Sequence, residues 1–301
     1  MMKKLNKEWH EDEKVWWNLH GNYMTYQWKL NPYLNSLLRT GINRDFNEYL
    51  LMSGGELLDI GCGSGWLARS FSKQGMFVTG IDVSQEQIDD ANLLKDQFND
   101  KNLSFICCDL LNWNVDKYES FFDAIFVSAF LHHLPNNELD ETIQKLSFVL
   151  KKGGRVYLYE PLESDVKRNF IASVIDYLNT VLSVVLLNYL PKWFRLHNKR
   201  HKEEIKNGYI MQSPRERPLQ MLEFEKILSR TFEIKEIRGR HIYSIGFAMQ
   251  TMGLKKFAIR IYSSILTLFY VWEQFLIKVF GWQPFSRKGR FIMCSFKLEK
   301  R

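Results

Sequence analysis

One stretch constrains this chain more than any other: Leu57-Leu58-Asp59-Ile60-Gly61-Cys62-Gly63-Ser64-Gly65. A short apolar run, the length of one strand, ends in three glycines at alternate positions, and a helical pattern begins at Trp66. Glycines in that place let the backbone take left-handed angles and come close to a ligand. The helix start behind them presents free N–H groups. At the open end of a parallel sheet such a turn lines the ligand crevice. Two acids add detail. Asp59 precedes the first glycine in a position that dinucleotide folds usually leave apolar. Asp82 closes the next strand, where a carboxylate accepts both hydroxyls of a ribose and repels a 2′-phosphate.

The pattern around this loop repeats. Glu56–Ile60 reads as a strand, Trp66–Lys73 as a helix, Phe77–Ile81 as a strand and Gln85–Gln97 as a helix. Leu103–Cys107 and Phe122–Val127 read as strands. Glu138–Leu150 reads as a helix stopped by Lys151-Lys152-Gly153-Gly154, and Arg155–Tyr159 as a strand. Short apolar strands alternating with helices predict an α/β fold with a parallel sheet covered on both faces. Later, Leu219–Ser229 reads as a helix, Phe232–Ile237 as a strand and Arg290–Leu298 as a final strand.

Five segments then carry a resemblance. LLDIGCGSG (57–65), GIDVS (80–84), CCDLL (107–111), FDAIFVSAFLHHL (122–134) and LKKGGRVYLYEP (150–161) resemble, in order and spacing, the core of the class I S-adenosylmethionine-dependent methyltransferases. The resemblance implies a Rossmann-like, mostly parallel seven-stranded sheet with helices on both faces. It implies S-adenosyl-L-methionine as cofactor and S-adenosyl-L-homocysteine as product. The cofactor-binding set it implies is Asp59, Gly61, Cys62, Gly63, Gly65, Asp82, Val83, Asp109, Leu110, Ser128 and Ala129. Within it, Gly61 and Gly63 meet the methionine part, Asp82 the ribose and Asp109 the adenine, while Ser128 and Ala129 line the methionine end. The chain then divides into an N-terminal helical cap (1–50), the cofactor-binding core (51–161), a helical and basic insertion (162–230) and C-terminal core strands with an inserted apolar helix (231–301).

The implied reaction is a direct in-line displacement, in which positioning supplies much of the rate and a dry site helps. Trp16, Trp17, Tyr23 and Tyr26 on the cap are candidates for an aromatic lid. A hydroxyl acceptor benefits from a general base, and histidine titrates near neutrality. His133, with His132 as the second choice, follows the fourth strand at the mouth of the expected site. Glu160, ending the fifth strand, is a candidate to orient a polar group of the substrate. No metal-ligand spacing stands out, so no metal is expected. O-methylation is favoured, with C-methylation as the variant.

Two long apolar segments, Asn169–Leu190 and Leu254–Phe280, each carry one narrow polar stripe: Asn169, Ser173, Asp176, Thr180 and Ser183, then Arg260, Ser264, Thr267, Gln274 and Lys278. So wide an apolar face needs an apolar partner. The candidates are each other, an anionic membrane surface, or a second subunit in a homodimer. Lys192–Arg217 holds eight of the Lys and Arg residues against three Glu, in a chain of net charge +7. Bases beside apolar helices fit an anionic lipid surface. A small, hydrophobic or lipid-linked acceptor is therefore the leading expectation. An RNA methyltransferase is the alternative from another class. Its basic stretch has few interleaved aromatics for base stacking, and SAFL (128–131) stands where base amino-methylating enzymes carry Asn/Asp-Pro-Pro-aromatic, so nucleic acid is not favoured. A non-catalytic cofactor-binding scaffold is the third reading. Four cysteines without paired spacing and an N-terminus without an apolar run point to a reducing, cytoplasmic setting, peripheral on the inner face of a membrane.

Overall fold

A computed structural model of the chain describes residues 2–30, 49–50, 54–164, 170, 173–175, 177–178, 213–241, 256–285 and 292–301. For residues 2–5, 22–30 and part of the last helix the description stops at the backbone. Residues 31–48 of the expected cap, most of Asn169–Leu190 and the basic stretch from Lys192 to Gln212 lie outside the described residues.

Helix α1 (Met2–Leu30) is the cap. The core follows as β1 (Glu56–Ile60), α2 (Trp66–Ser72), β2 (Phe77–Asp82), α3 (Gln85–Gln97), β3 (Leu103–Cys107), β4 (Phe122–Ser128), α4 (Asn136–Val149) and β5 (Leu150–Glu163). Then come β6 (Leu219–Gln220), α5 (Met221–Ser229), β7 (Phe232–His241), α6 (Lys256–Phe280) and β8 (Ile292–Lys300).

The sheet runs β3-β2-β1-β4-β5-β8-β7. Its first five strands are parallel, and β8 is antiparallel to both neighbours. The expected seven strands are this path, and the sheet is Rossmann-like and mostly parallel. An eighth strand, β6, adds a two-residue parallel pair at the end of β5, Leu162↔Leu219 and Glu163↔Gln220. Leu219 and Gln220, read from sequence as the start of a helix, therefore belong to the sheet. Lys151 to Gly154 also differ from expectation. β5 begins at Leu150, paired with Phe122, and those four residues take up a register shift before Arg155 meets Ala124.

The two-residue period of the strands builds a core on each face of the sheet. Leu58 and Ile60 of β1, Ile125 and Val127 of β4, and Val156 and Leu158 of β5 face the larger core with α4 and α5. Leu57, Phe126, Tyr157 and Tyr159 alternate into the other core against Leu67, Ala68 and Phe71 of α2. Strand order reverses between β1 and β4, so the crevice beyond their C-terminal ends is where this topology places a ligand.

Helix α6 enters between β7 and β8, as the sequence suggests. Its faces are not those that a polar stripe turned to water would give. Gln274 donates to the carbonyl of Arg240 at 2.7 Å, and Glu273 and Leu276 are buried. Ile261, Leu268, Val271, Trp272, Phe275 and Val279 are exposed. No described helix is long and apolar enough to cross a membrane.

Candidate active site

A cleft of about 190 Å³ opens at the C-terminal ends of β1, β2 and β4. Its floor is the glycine loop. Gly61, Gly63 and Gly65 all take left-handed angles, with φ of 68°, 52° and 72°. At Gly61 a side-chain carbon would lie 2.9 Å from the Phe130 ring, so the loop and the β4 turn close on each other only with glycine there. Gly65 does different work from that expected. It does not line the cleft; its missing side chain admits the Phe105 ring, 2.6 Å from where a Cβ would sit.

Asp82 ties the loop together. Its Oδ2 accepts from the N–H of Gly63 and its Oδ1 from that of Ser84, both at 2.9 Å. Burial raises its pKa, and the backbone N–H groups oppose that rise. The carboxylate borders the cleft and has acceptor capacity left beyond these two bonds. Asp59 is 2% exposed, and its Oδ2 has no hydrogen-bond partner although it borders the cleft. Burial first, and the charge of Asp82 second, push its pKa up to about 8. A buried carboxyl oxygen without a partner fits a cationic or N–H group of a ligand, whose charge would favour the ionised form over the protonated one.

Cys62, Val83, Asp109, Leu110, Ser128 and Ala129 all border the same cleft, as the sequence suggests. The Asp109 carboxylate also caps its own turn, accepting from the N–H of Leu111 at 3.0 Å. Ala129 holds a φ of 51°, uncommon for a residue with a side chain, and donates its N–H to the Tyr159 carbonyl at 2.8 Å. Backbone held in that region at a strand end is a mark of functional sites.

The two histidines after β4 separate. His133 borders the cleft. Its Nδ1 lies 2.9 Å from Ser213 Oγ and 3.1 Å from Glu13 Oε2. His132 is buried and does not border the cleft, which removes it as a base. Its Nδ1 meets Glu160 Oε2 at 2.8 Å and its Nε2 faces Glu216 Oε1 at 3.6 Å. Burial alone would lower its pKa; the two carboxylates overcome that and raise it to about 9. Glu160 is fully buried and spent on the protein. Its Oε1 accepts from the N–H groups of Phe130 and Leu131, both at 2.9 Å, so it shapes the turn and does not reach a substrate.

The cap also divides. Trp17 borders the cleft, edge-on to His133 with ring centroids 5.6 Å apart. Trp16 stands T-shaped on Trp17 at 4.9 Å and packs against the larger core, so it is a packing residue. The side chains of Tyr23 and Tyr26 lie outside the described residues. Sequence reasoning missed Glu13, His10, Gln87 and Phe130, which border the cleft, and Ser213 and Glu216 behind it. A signal for the cap existed: Trp9, Glu13 and Trp17 recur every four residues on one helix face. Ser213 and Glu216 had none.

His132, His133 and Glu216 bring ligand-type atoms within 4.8 Å of one another, a grouping invisible in sequence spacing. Each is already paired with a protein partner, His132 with both Glu160 and Glu216 and His133 with Glu13 and Ser213.

Residues 57–154 match the family model described as a methyltransferase domain. That match falls on the segment that carries the glycine loop, Asp82 and the β4 turn. The chain is 29% identical over 178 residues to a ubiquinone biosynthesis O-methyltransferase of Coxiella burnetii, covering 59% of this chain and 66% of that one. It is 33% identical over 153 residues to the mitochondrial ubiquinone biosynthesis O-methyltransferase of Rattus norvegicus, covering 48% and 42%. The match thus spans just under two thirds of the Coxiella protein and less than half of the rat one. Among solved structures, geranyl diphosphate C-methyltransferase from Streptomyces coelicolor, in complex with Mg2+, geranyl diphosphate and S-adenosyl-L-homocysteine, aligns with a TM-score of 0.51. That alignment has 14% identity and covers 87% of this chain and 77% of that one, a likeness of fold. The methyltransferase domain places its glycine loop, Asp82 and the β4 turn around one cleft.

Proposed function

We propose that the protein moves a methyl group to a hydroxyl of a small, hydrophobic acceptor, of the quinol or other lipid-linked kind. The single observation that carries this reading is His133: a histidine on the cleft wall, with a carboxylate on its Nδ1, beside the end of β4. The ubiquinone biosynthesis O-methyltransferases among the relatives support an oxygen acceptor.

The residues fit the cofactor. Gly61 and Gly63 leave backbone room, Asp82 offers its remaining acceptor capacity to the ribose hydroxyls, and Asp59 offers its unpartnered Oδ2 to the amino group. Asp109 and Leu110 would hold the adenine and Ser128 and Ala129 the methionine end, and all four border the cleft, which supports that reading. When bound, S-adenosylmethionine supplies an electrophilic methyl on a sulfonium. The chain's own residues do the rest. His133 takes the acceptor's hydroxyl proton, Trp17 and Phe130 exclude water, and the α1 cap covers the opening.

The exposed apolar residues of α6 support a peripheral site on an anionic lipid surface, where such an acceptor resides. Lys256 and Lys278 lie at the two ends of the helix, and the sequence continues with Arg287 and Lys288. Amphipathic helices with flanking bases lie in that interface. A homodimer is the other occupant of this face.

The test uses purified protein, methyl-labelled S-adenosylmethionine and a whole-cell extract, partitioned between organic and aqueous phases. Label in the organic phase is the expected result. Label only in the aqueous phase would sink the hydrophobic acceptor, and its loss on RNase treatment would point to RNA.

A further inference from the structure

We propose that Glu13, carried on the cap helix α1, is the positioning residue that makes His133 a base. This inference rests on the reading of His133 as the proton acceptor. Glu13 Oε2 lies 3.1 Å from His133 Nδ1. A carboxylate has no proton to donate, so the imidazole must carry its own on Nδ1 to face it. That choice of tautomer leaves the basic lone pair on Nε2. Ser213 Oγ, 2.9 Å from the same Nδ1, reinforces the arrangement by accepting from the ring or by donating to Glu13.

Glu13 is itself held. It is 6% exposed. Its Oε1 accepts from the N–H of Arg215 at 2.9 Å and its Oε2 from the indole of Trp17 at 3.2 Å. Burial would raise its pKa; His133, Ser213 and the N–H of Arg215 overcome that and hold it below the ordinary carboxylate value. The indole of Trp9 donates to the His133 carbonyl at 2.6 Å, so α1 grips the same residue by its backbone. The centre is therefore assembled from three parts of the chain: the cap, the turn after β4 and the segment at Ser213–Arg215. Methyl transfer becomes possible only with the cap docked, the logic of a base oriented by a third group. Glutamine cannot replace Glu13. It has one acceptor oxygen for the three donors that converge there, and its amide N–H groups would turn the imidazole to the other tautomer.

The test uses the full-length protein with S-adenosyl-L-homocysteine bound and nitrogen-15 labelled histidine. The expected spectrum shows His133, assigned by its loss in His133→Gln, protonated on Nδ1. Glu13→Gln shifts it toward the Nε2-protonated form, and Glu13→Asp restores part of the original signal. The labelled-methyl assay then shows kcat lowered on the order of 10²–10⁴-fold in Glu13→Gln, with cofactor affinity unchanged. An Nε2-protonated wild type, or a tautomer that ignores Glu13→Gln, would overturn the proposal. Full activity in His133→Gln would overturn the base reading instead, while the spectrum still judges Glu13.

Discussion

The side chains around the cleft have unequal tasks, and substitutions separate them. Replacing His133 with glutamine removes the proton acceptor; kcat should fall about 10²–10⁴-fold while S-adenosyl-L-homocysteine binds as before by calorimetry. Asp82→Ala should do the reverse. It removes two hydrogen bonds that hold the loop and the lone pairs offered to the ribose, and cofactor affinity should drop by roughly 10-fold or more. Asp59 makes a prediction about stability. Its pKa is raised to about 8, so the folded protein holds a proton that the unfolded chain releases near pH 4. Between those values the folded state binds more protons, and stability falls as pH rises through that window. Asp59→Asn should flatten that decline and raise the melting temperature at pH 8 by several degrees, read by thermal unfolding at stepped pH. An unchanged slope would mean that Asp59 is ionised in the fold.

At the scale of elements, the strands were legible and the helices only in part. Strands β1 to β4 end within a residue of where the sequence puts them, because a parallel strand buried on both faces must be a continuous apolar run, while β5 and β7 run four residues further than read. The glycine loop was legible for a related reason: backbone at positive φ beside a crowded β4 turn tolerates little else. Helix α6 was legible as an amphipathic helix, yet its orientation was not. A stripe of polar residues in sequence does not say which side meets water, and Gln274 spends its amide on β7. The exposed residues Trp272 and Phe275 carry the prediction for this element. Changing both to aspartate should leave thermal stability within about a degree, since neither is buried. It should abolish co-sedimentation with phosphatidylglycerol vesicles. Retained vesicle binding would remove α6 as the contact, and a shift from dimer to monomer on gel filtration would assign the face to a second copy.

Across the whole molecule, the buried pairs His132–Glu160 and His132–Glu216 join the turn after β4, the end of β5 and the segment before β6. Their stability is linked to pH. The folded pKa of His132 is raised to about 9 from an ordinary 6.5, so its contribution is full below pH 6.5 and is lost as pH rises to about 9. Stability of the wild-type chain should decline through that range by a few kcal/mol at most. His132→Gln should be less stable at pH 6 and show a flatter profile from 6.5 to 9. A variant that keeps the wild-type slope would show that His132 is neutral in the fold.

Local chemistry wrote the methyltransferase core into the chain. Strand runs, glycines and strand-end acids act within a few residues of each other, so Asp59, Gly61, Gly63, Asp82 and Ser128 could be read in order. Tertiary structure decided everything that depends on convergence. Ser213 reaches His133 across 80 positions and the Trp9 indole reaches it across 124. No periodicity links residues that far apart; only the packing of α1 and of the strand β6 region against the end of β4 does. The same packing turned His132 and Glu160 inward, where two acids hold an imidazolium, and left His133 alone of the pair at the wall of the cleft.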